Sequence, residues 1–342
     1  MKAAVLYGPK DVRLEEVETP HVGPGEVLIK IEAALTCGTD AKVYLRGGHP
    51  KMITPPAVFG HEFAGVIEQT GKGVKDFRDG ANVVAANSAP CNRCFYCRSG
   101  RQSLCEDLLF INGAYAQYIK IPARIVEQNL YPVPEGVSAE EAALLEPLAC
   151  VLHGVEEANI CAGDTVVVNG AGPIGLLFVQ LAGLKGARVI SCDMVEERLK
   201  AAKECGAYEV INVSKVDDSV KAVLELTGGI GADVAIEAVG NPAVWEKAVS
   251  MVKKGGWVVC FGGCAPGTKV SFDTELIHYS ELTLKGVFHH TPHYVSKSLE
   301  LLARGRIRTS CLITGKLPLE KLDEALENIV SHRGVKTAVI PW

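Results

Sequence analysis

Residues 165–193 read TVVVNGAGPIGLLFVQLAGLKGARVISCD. TVVVN is a short buried strand, PIGLLFVQLAGLKG a helix, and ARVISCD a second strand ending on Asp193; Gly170-Ala171-Gly172-Pro173-Ile174-Gly175 turns the first strand into the helix. In that context Gly170 permits the tight turn, Gly172 lets backbone approach a pyrophosphate, and Gly175 allows close helix–sheet contact. The helix N-terminus, opened by Pro173 and Ile174, offers free N–H groups and a positive dipole end to an anion. The stretch predicts a dinucleotide site; a glycine-rich turn without a ligand is the bland alternative. Asp193 stands where a carboxylate accepts hydrogen bonds from an adenosine ribose and repels a 2′-phosphate, which favours NAD over NADP. It also precedes Glu196 at a capping spacing, and Arg198 nearby softens the preference.

Outward from this stretch the alternation continues. VEERLKAAKECGA, VDDSVKAVLELTGG and NPAVWEKAVSMVKKGG read as helices, YEVINV, ADVAIEAVG and WVVCFGG as strands, and LTLKGVF and PHYVSKSLELLARG close the region. Buried strands alternating with amphipathic helices predict an α/β fold with a doubly wound parallel sheet. Residues 1–135 differ: short strands (AAVLYG, VRLEEVE, EVLIKIEAALT, HEFAGVIEQTG, ANVVAAN, AQYIKIP) between Gly- and Pro-rich turns predict a β-rich first domain. SAEEAALLEPLACVLHGVEEA, with Ser138 and Glu141 at a capping-box spacing, is helical and marks the changeover. The tail IRTSCLITGKLPLEKLDEALENIVSHRGVKTAVIPW has its own helix and final strand and is expected to return to the first domain. The expected division is 1–150 with 290–342, against 151–289.

The chain's 342 residues suit two domains. A net charge of −5, from 35 basic and 40 acidic residues without a basic block, argues against nucleic acid as a partner. No apolar run reaches the length of a membrane span, and MKAAVLYGPKDVRLEEVE turns charged too early for a signal peptide. A cytoplasmic protein is expected. Its reducing surroundings argue against a disulfide framework for the 12 cysteines.

Four of these crowd together as Cys91, Cys94, Cys97 and Cys105. Such spacing suits tetrahedral Zn²⁺, and CNRCFYCRSGRQSLC has too little apolar content to order itself, so a metal must supply the folding energy. A C-x2-C-x2-C run also begins a ferredoxin cluster, but the longer last gap and the missing Cys-Pro ending weigh against iron–sulfur. Free thiols are the bland reading. A zinc with four protein ligands has no room for substrate, so this one is structural. Cys150, Cys161, Cys192, Cys205, Cys260, Cys264 and Cys311 read as small core residues.

A second set is dispersed: Cys37-Gly38-Thr39-Asp40, Gly60-His61-Glu62 and Glu146-Pro147. A thiolate, an imidazole and carboxylates would make a mixed zinc site with one position open. Singly, Cys37 reads equally as a buried hydrophobe, His61 as a turn histidine, and Glu146 as a helix-surface charge. Spacing does not decide.

In order and separation, CGTDAKVY, PAVFGHEFAGVIEQTGKGV, the four-cysteine run, EPLAC and VVVNGAGPIGLLFVQLA resemble the zinc-containing medium-chain alcohol dehydrogenases over nearly the whole chain. The most similar branch is the sorbitol/polyol and threonine dehydrogenase group, marked by Glu146 in EPLAC where liver-type enzymes carry cysteine. The resemblance implies a GroES-like catalytic domain, a Rossmann cofactor domain, one catalytic and one structural zinc per chain, and NAD. It implies reversible hydride transfer from a secondary alcohol: a polyol, sugar alcohol, diol or hydroxy-amino acid. Cys37, His61 and Glu62 would be zinc groups, with Glu146 a direct or water-mediated ligand. Thr39 would take the substrate proton and Asp40 would orient His61. A homodimer or homotetramer through the cofactor domain is also implied.

The chain departs from this family at Lys42, where a proton-relaying histidine is common. It departs again at Phe288-His289-His290, where polyol dehydrogenases commonly carry an arginine. Tyr115, His289 and His290 are expected as packing or surface residues more than pocket walls. His49 reads as a solvated turn residue and His153 as a packed helix residue; His278 and His293 carry no motif. Two rival functions stand: a zinc-free quinone or enone reductase of the same fold, against which the Cys37/His61/Glu62 set argues, and a non-catalytic NAD-binding protein.

Overall fold

The strand–helix alternation after Gly163 closes into a six-stranded parallel sheet. In the computed structural model, which describes residues 1–48 and 52–342, the strands lie in the order Glu209–Asn212, Arg188–Asp193, Thr165–Asn169, Ala232–Glu237, Val252–Cys260, Thr283–Gly286. Val166, Val167 and Val168 are fully buried, as a strand covered on both faces requires. The chain winds outward to one side from Thr165–Asn169, then crosses back to begin Ala232–Glu237 on the other. At such a reversal the carboxyl ends of neighbouring strands leave a crevice for a ligand. The glycine turn stands at that point. Gly172 caps the helix Pro173–Leu184, with proline in its first turn. Gly175 passes so near the turn that a Cβ would lie 1.7 Å from the Gly170 carbonyl oxygen, so only glycine fits. Cys150–His289 form this compact unit.

Met1–Ala149 and His290–Trp342 form the other. Its main sheet runs Leu130–Pro132, Asn82–Ala85, Glu62–Thr70, Val27–Leu35, Lys336–Ile340, Ile313–Pro318, with Tyr118–Ile121 also pairing with Val27–Leu35. Val27, Ile29 and Ile31 pack with Phe59, Phe63, Ile67, Tyr115 and, from the tail, Leu326 in one core. The register matters most at the end of the central strand. Leu35 lies opposite Glu62 on one side and Ala338 on the other.

The structure departs from the sequence expectations in several short helices. Gly38–Arg46 is helical although strands are expected throughout that region. Its start is a capping box: Cys37 Sγ accepts from Thr39 N while the Asp40 carboxylate accepts from Cys37 N. Cysteine is not among the ordinary capping residues, so the signal is easily passed over. Ala123–Asn129 follows Pro122, and Thr274–Tyr279 is capped by Asp273, which accepts from the amides of Glu275 and Leu276. Each is too short for a periodic pattern. Cys161, expected in the core, is exposed. No described helix is long and apolar enough to cross a membrane.

Candidate metal and cofactor sites

Cys37 follows the central strand by two residues, and Glu62 pairs with the last residue of that strand. The antiparallel register therefore brings Cys37 to His61 and Glu62, although 24 positions separate Cys37 from His61 along the chain. Ligand atoms of Cys37, His61 and Glu62 lie within 4.8 Å of one another. Sulfur, nitrogen and oxygen donors from three side chains match the set that catalytic Zn²⁺ takes while keeping a position open. His61 and Glu62 are buried and Cys37 is half-buried. Burial pushes the His61 imidazole down, but the Asp40 and Cys37 charges beside it outweigh that and raise its pKa well above the ordinary value.

Behind His61 stands Asp40, fully buried, with Oδ1 3.1 Å from His61 Nδ1. That oxygen makes no well-aligned hydrogen bond, whereas Oδ2 accepts from Cys37 N (3.1 Å) and the Tyr115 hydroxyl (2.6 Å). A carboxylate against Nδ1 leaves the other ring nitrogen for a metal. Gly60 has φ +88°, and a Cβ there would lie 2.8 Å from the Tyr115 ring. Tyr115 thus packs behind the site.

On the other side of the central strand, Lys336 reaches Glu62. Its Nζ donates to Glu62 Oε1 (2.8 Å), Glu62 Oε2 (2.5 Å) and Thr36 O (2.9 Å), with lysine and glutamate both buried. Burial raises the Glu62 pKa to about 7 while Lys336 pulls it down. Glu146 is also buried and its charge adds to the upward push. It lies in the first turn of the helix Leu145–Glu157.

Ligand atoms of Cys91, Cys94, Cys97 and Cys105 likewise lie within 4.8 Å of one another. Backbone N–H groups point at the sulfurs. Those of Arg93 and Cys94 pull Cys91 down to about 6, those of Cys97 and Glu106 lower Cys94, and burial sends Cys97 up to about 12. Amides aimed at converging thiols favour thiolate, the form that binds metal. In the other unit, Asp193 Oδ2 accepts from Ala171 N at 2.7 Å and Oδ1 from Val195 N at 2.9 Å. The acid at the strand end therefore grips the glycine turn. Arg198 has a buried Nε without a hydrogen-bond partner among the described residues, and its Nη1 lies 3.9 Å from the Cβ position of Gly172.

The GroES-like domain of alcohol dehydrogenases matches residues 23–135, and the zinc-binding dehydrogenase domain matches residues 173–304. Sorbitol dehydrogenase of Bacillus subtilis is 33% identical, over 100% of this chain and 97% of its own. The chain belongs to the zinc-containing medium-chain alcohol dehydrogenases. Erythritol/L-threitol dehydrogenase of Mycolicibacterium smegmatis is 35% identical to this alcohol dehydrogenase, over 100% of this chain and 98% of its own. The crystal structure of a Sinorhizobium meliloti zinc-binding dehydrogenase bound to NADP superposes with a TM-score of 0.91 at 33% identity, covering 99% of each chain.

In this dehydrogenase Thr39 is half-buried and its amide donates to Cys37 Sγ, while Lys42 is on the exposed side of the same helix. His153 Nδ1 lies 2.7 Å from the carbonyl oxygen of His289, which has φ +60° and its own Nδ1 4.0 Å from Cys150 Sγ. His290 is buried with Nε2 3.3 Å from Asn87 Oδ1. His278 and His293 lie edge-on to Tyr279 and Tyr294. His49 lies outside the described residues. Sequence reasoning missed the parts played by Tyr115 and Lys336. An aromatic in GAYAQY and a lysine opening VKTAVIP look like a core residue and a strand end; only the register joins them to Asp40 and Glu62.

Proposed function

We propose that this enzyme oxidises a secondary hydroxyl of a small polyol or diol to the ketone, reversibly, with NAD favoured over NADP. The observation that carries this reading is the convergence of Cys37, His61 and Glu62 on one point. Zinc held there supplies the Lewis acid that favours alkoxide at neutral pH, and the dinucleotide supplies the hydride acceptor. Cys37, His61 and Glu62 hold the metal, with Glu146, whose charge acts on Glu62, as a direct or water-mediated ligand. Asp40 fixes the His61 ring. The Thr39 hydroxyl receives the proton that the alcohol loses. Gly170, Gly172, Pro173, Ile174 and Gly175 present backbone to the pyrophosphate, Asp193 accepts from the adenosine ribose, and Arg198 stands beside the turn.

Cys91, Cys94, Cys97 and Cys105 hold a second, structural zinc, for which reduced thiols and hence a cytoplasmic location are the natural setting. The edge strand Thr283–Gly286 is a surface on which two copies can pair into a homodimer, or a homotetramer built from it. The test is reduction of NAD and of NADP measured against C4–C6 polyols, vicinal diols, threonine and simple secondary alcohols. Turnover of a polyol or diol with NAD is expected. Absence of turnover in protein holding about two zinc ions per chain would turn the reading to a binding protein. Enone reduction with about one zinc would turn it to a zinc-free reductase. Asp193→Ala is expected to raise the relative efficiency with NADP about tenfold or more.

A further inference from the structure

The carboxyl end of the parallel sheet holds an acid that takes no part in the sites above. Glu237 ends its strand opposite Asn169 on one side and Cys260 on the other, and is fully buried. Its backbone carbonyl accepts from Phe261 N (3.1 Å) and Gly262 N (2.9 Å). Its side-chain Oε1 accepts from Val239 N (3.0 Å) and Gly240 N (2.9 Å). One residue thus holds the turns leaving two adjacent strands.

Those turns interlock. A Cβ on Gly262 would stand 2.2 Å from Gly240 N and 2.6 Å from Glu237 Oε2, so glycine is what leaves the carboxylate its space. Trp245 Nε1 donates to Gly262 O at 3.2 Å and closes the connection from the helix side. The first turn also abuts the glycine motif: Val239 Cγ2 stands 2.8 Å from the Cβ position of Gly170. Among the described residues Oε2 makes no well-aligned hydrogen bond. Burial raises the pKa of this carboxyl, while the Asn241 amide and the Trp245 indole also act on it and lower it. A buried carboxyl left half-satisfied is costly for the fold taken alone, and an apolar side chain would fill the space without that cost. What the acid adds is the hold on Val239 and Gly240.

We infer that Glu237 is a positioning residue for the cofactor. By holding the amides of Val239 and Gly240, its carboxylate fixes the wall beside the glycine turn and so sets how tightly a nicotinamide dinucleotide binds. The inference rests on the dinucleotide reading of this unit given above.

The test titrates the zinc-loaded enzyme with NADH and with NADPH, followed by nucleotide fluorescence, and measures steady-state kinetics beside it. Glu237→Ala is expected to raise the cofactor Kd and KM about tenfold, with kcat at saturating cofactor and KM for the alcohol within about threefold of wild type. Glu237→Gln keeps an oxygen for the two amides and is expected to stay within about threefold. Should the alanine variant not fold, Glu237→Asp, a methylene too short to reach both amides, is expected to raise the Kd about fivefold. A wild-type cofactor Kd in the folded alanine or aspartate variant overturns the inference. So does a fall in kcat and a rise in alcohol KM as large as the change in cofactor Kd, which would mark a general structural role. Wild-type enzyme that binds neither NADH nor NADPH defeats the dinucleotide reading instead.

Discussion

Tyr115 donates its hydroxyl hydrogen to Asp40 Oδ2 at 2.6 Å, and neither side chain reaches solvent. A hydrogen bond to a buried charged acceptor contributes about 1.5–3 kcal/mol. Tyr115→Phe keeps the ring against Gly60 and removes that bond together with the longer contact of the same hydroxyl with Leu35 O (3.3 Å), so a stability loss of about this size is expected in urea unfolding. Asp40 also loses one of the two donors on Oδ2, which loosens its aim at His61. The expected companion result is faster zinc loss to a chelator from the site of Cys37 and His61, with the four-cysteine site unchanged. Equal release from both sites in wild type and variant would reduce Tyr115 to a space-filler.

Gly60 answers to the same tyrosine. At φ +88° an alanine is strained whatever surrounds it, by about 1–3 kcal/mol, and its Cβ meets the ring as well. Gly60→Ala is expected to cost more than this backbone strain alone. Combining it with Tyr115→Ala is expected to recover the steric part and leave the strain. A double-mutant cycle in thermal unfolding reads the coupling; strict additivity would place the ring elsewhere.

Lys336 and Glu62 meet across the end of the central strand because Leu35 faces Glu62 on one side and Ala338 on the other. Removing one partner of such a pair strands the other, at about 3–5 kcal/mol. Lys336→Met is therefore expected to be severely destabilised when metal-free and to regain part of that loss with zinc, whose charge replaces the lysine's. Lys336→Met/Glu62→Gln is expected to be more stable than the single variant without metal. If zinc rescues the two equally in calorimetry, Glu62 does not engage the metal.

These relationships mark where the sequence stops being legible. The glycine turn is readable because its whole logic is local: strand, turn and helix are contiguous, and Gly175 is constrained by Gly170 only five positions away. The cysteine lobe is readable for the same reason. The mixed donor set is not, since Cys37 and His61 meet only through the pairing of two strands, and each residue alone has an ordinary explanation. Lys336 lies further beyond reach. Nothing in VKTAVIP shows that the third strand will lie beside the first, or that a lysine there will be sealed from water by its contact with Glu62. The helix at Gly38–Arg46 was hidden by its unusual cap, although that cap is what turns Cys37 and Asp40 toward the site.

The four-cysteine lobe carries its own pH dependence. Backbone amides hold Cys91 at about 6, below the ordinary thiol value of 9.0, while burial holds Cys97 at about 12. For a thiol lowered by folding, the stabilisation is fully present above 9.0, the unfolded value, and is lost as pH falls through about 6. Cys97 has the opposite sign and opposes folding only as pH rises above 9.0. Since the lobe depends on metal for its order, this dependence is expected to show in zinc affinity, which falls as pH drops from 9 through 6 and the thiols protonate. Only thiolate reacts with iodoacetamide. Mass spectrometry of briefly alkylated protein is expected to find all four cysteines labelled in apoprotein and all four protected by zinc. Labelling that zinc does not slow would mean that these four thiols do not hold the metal.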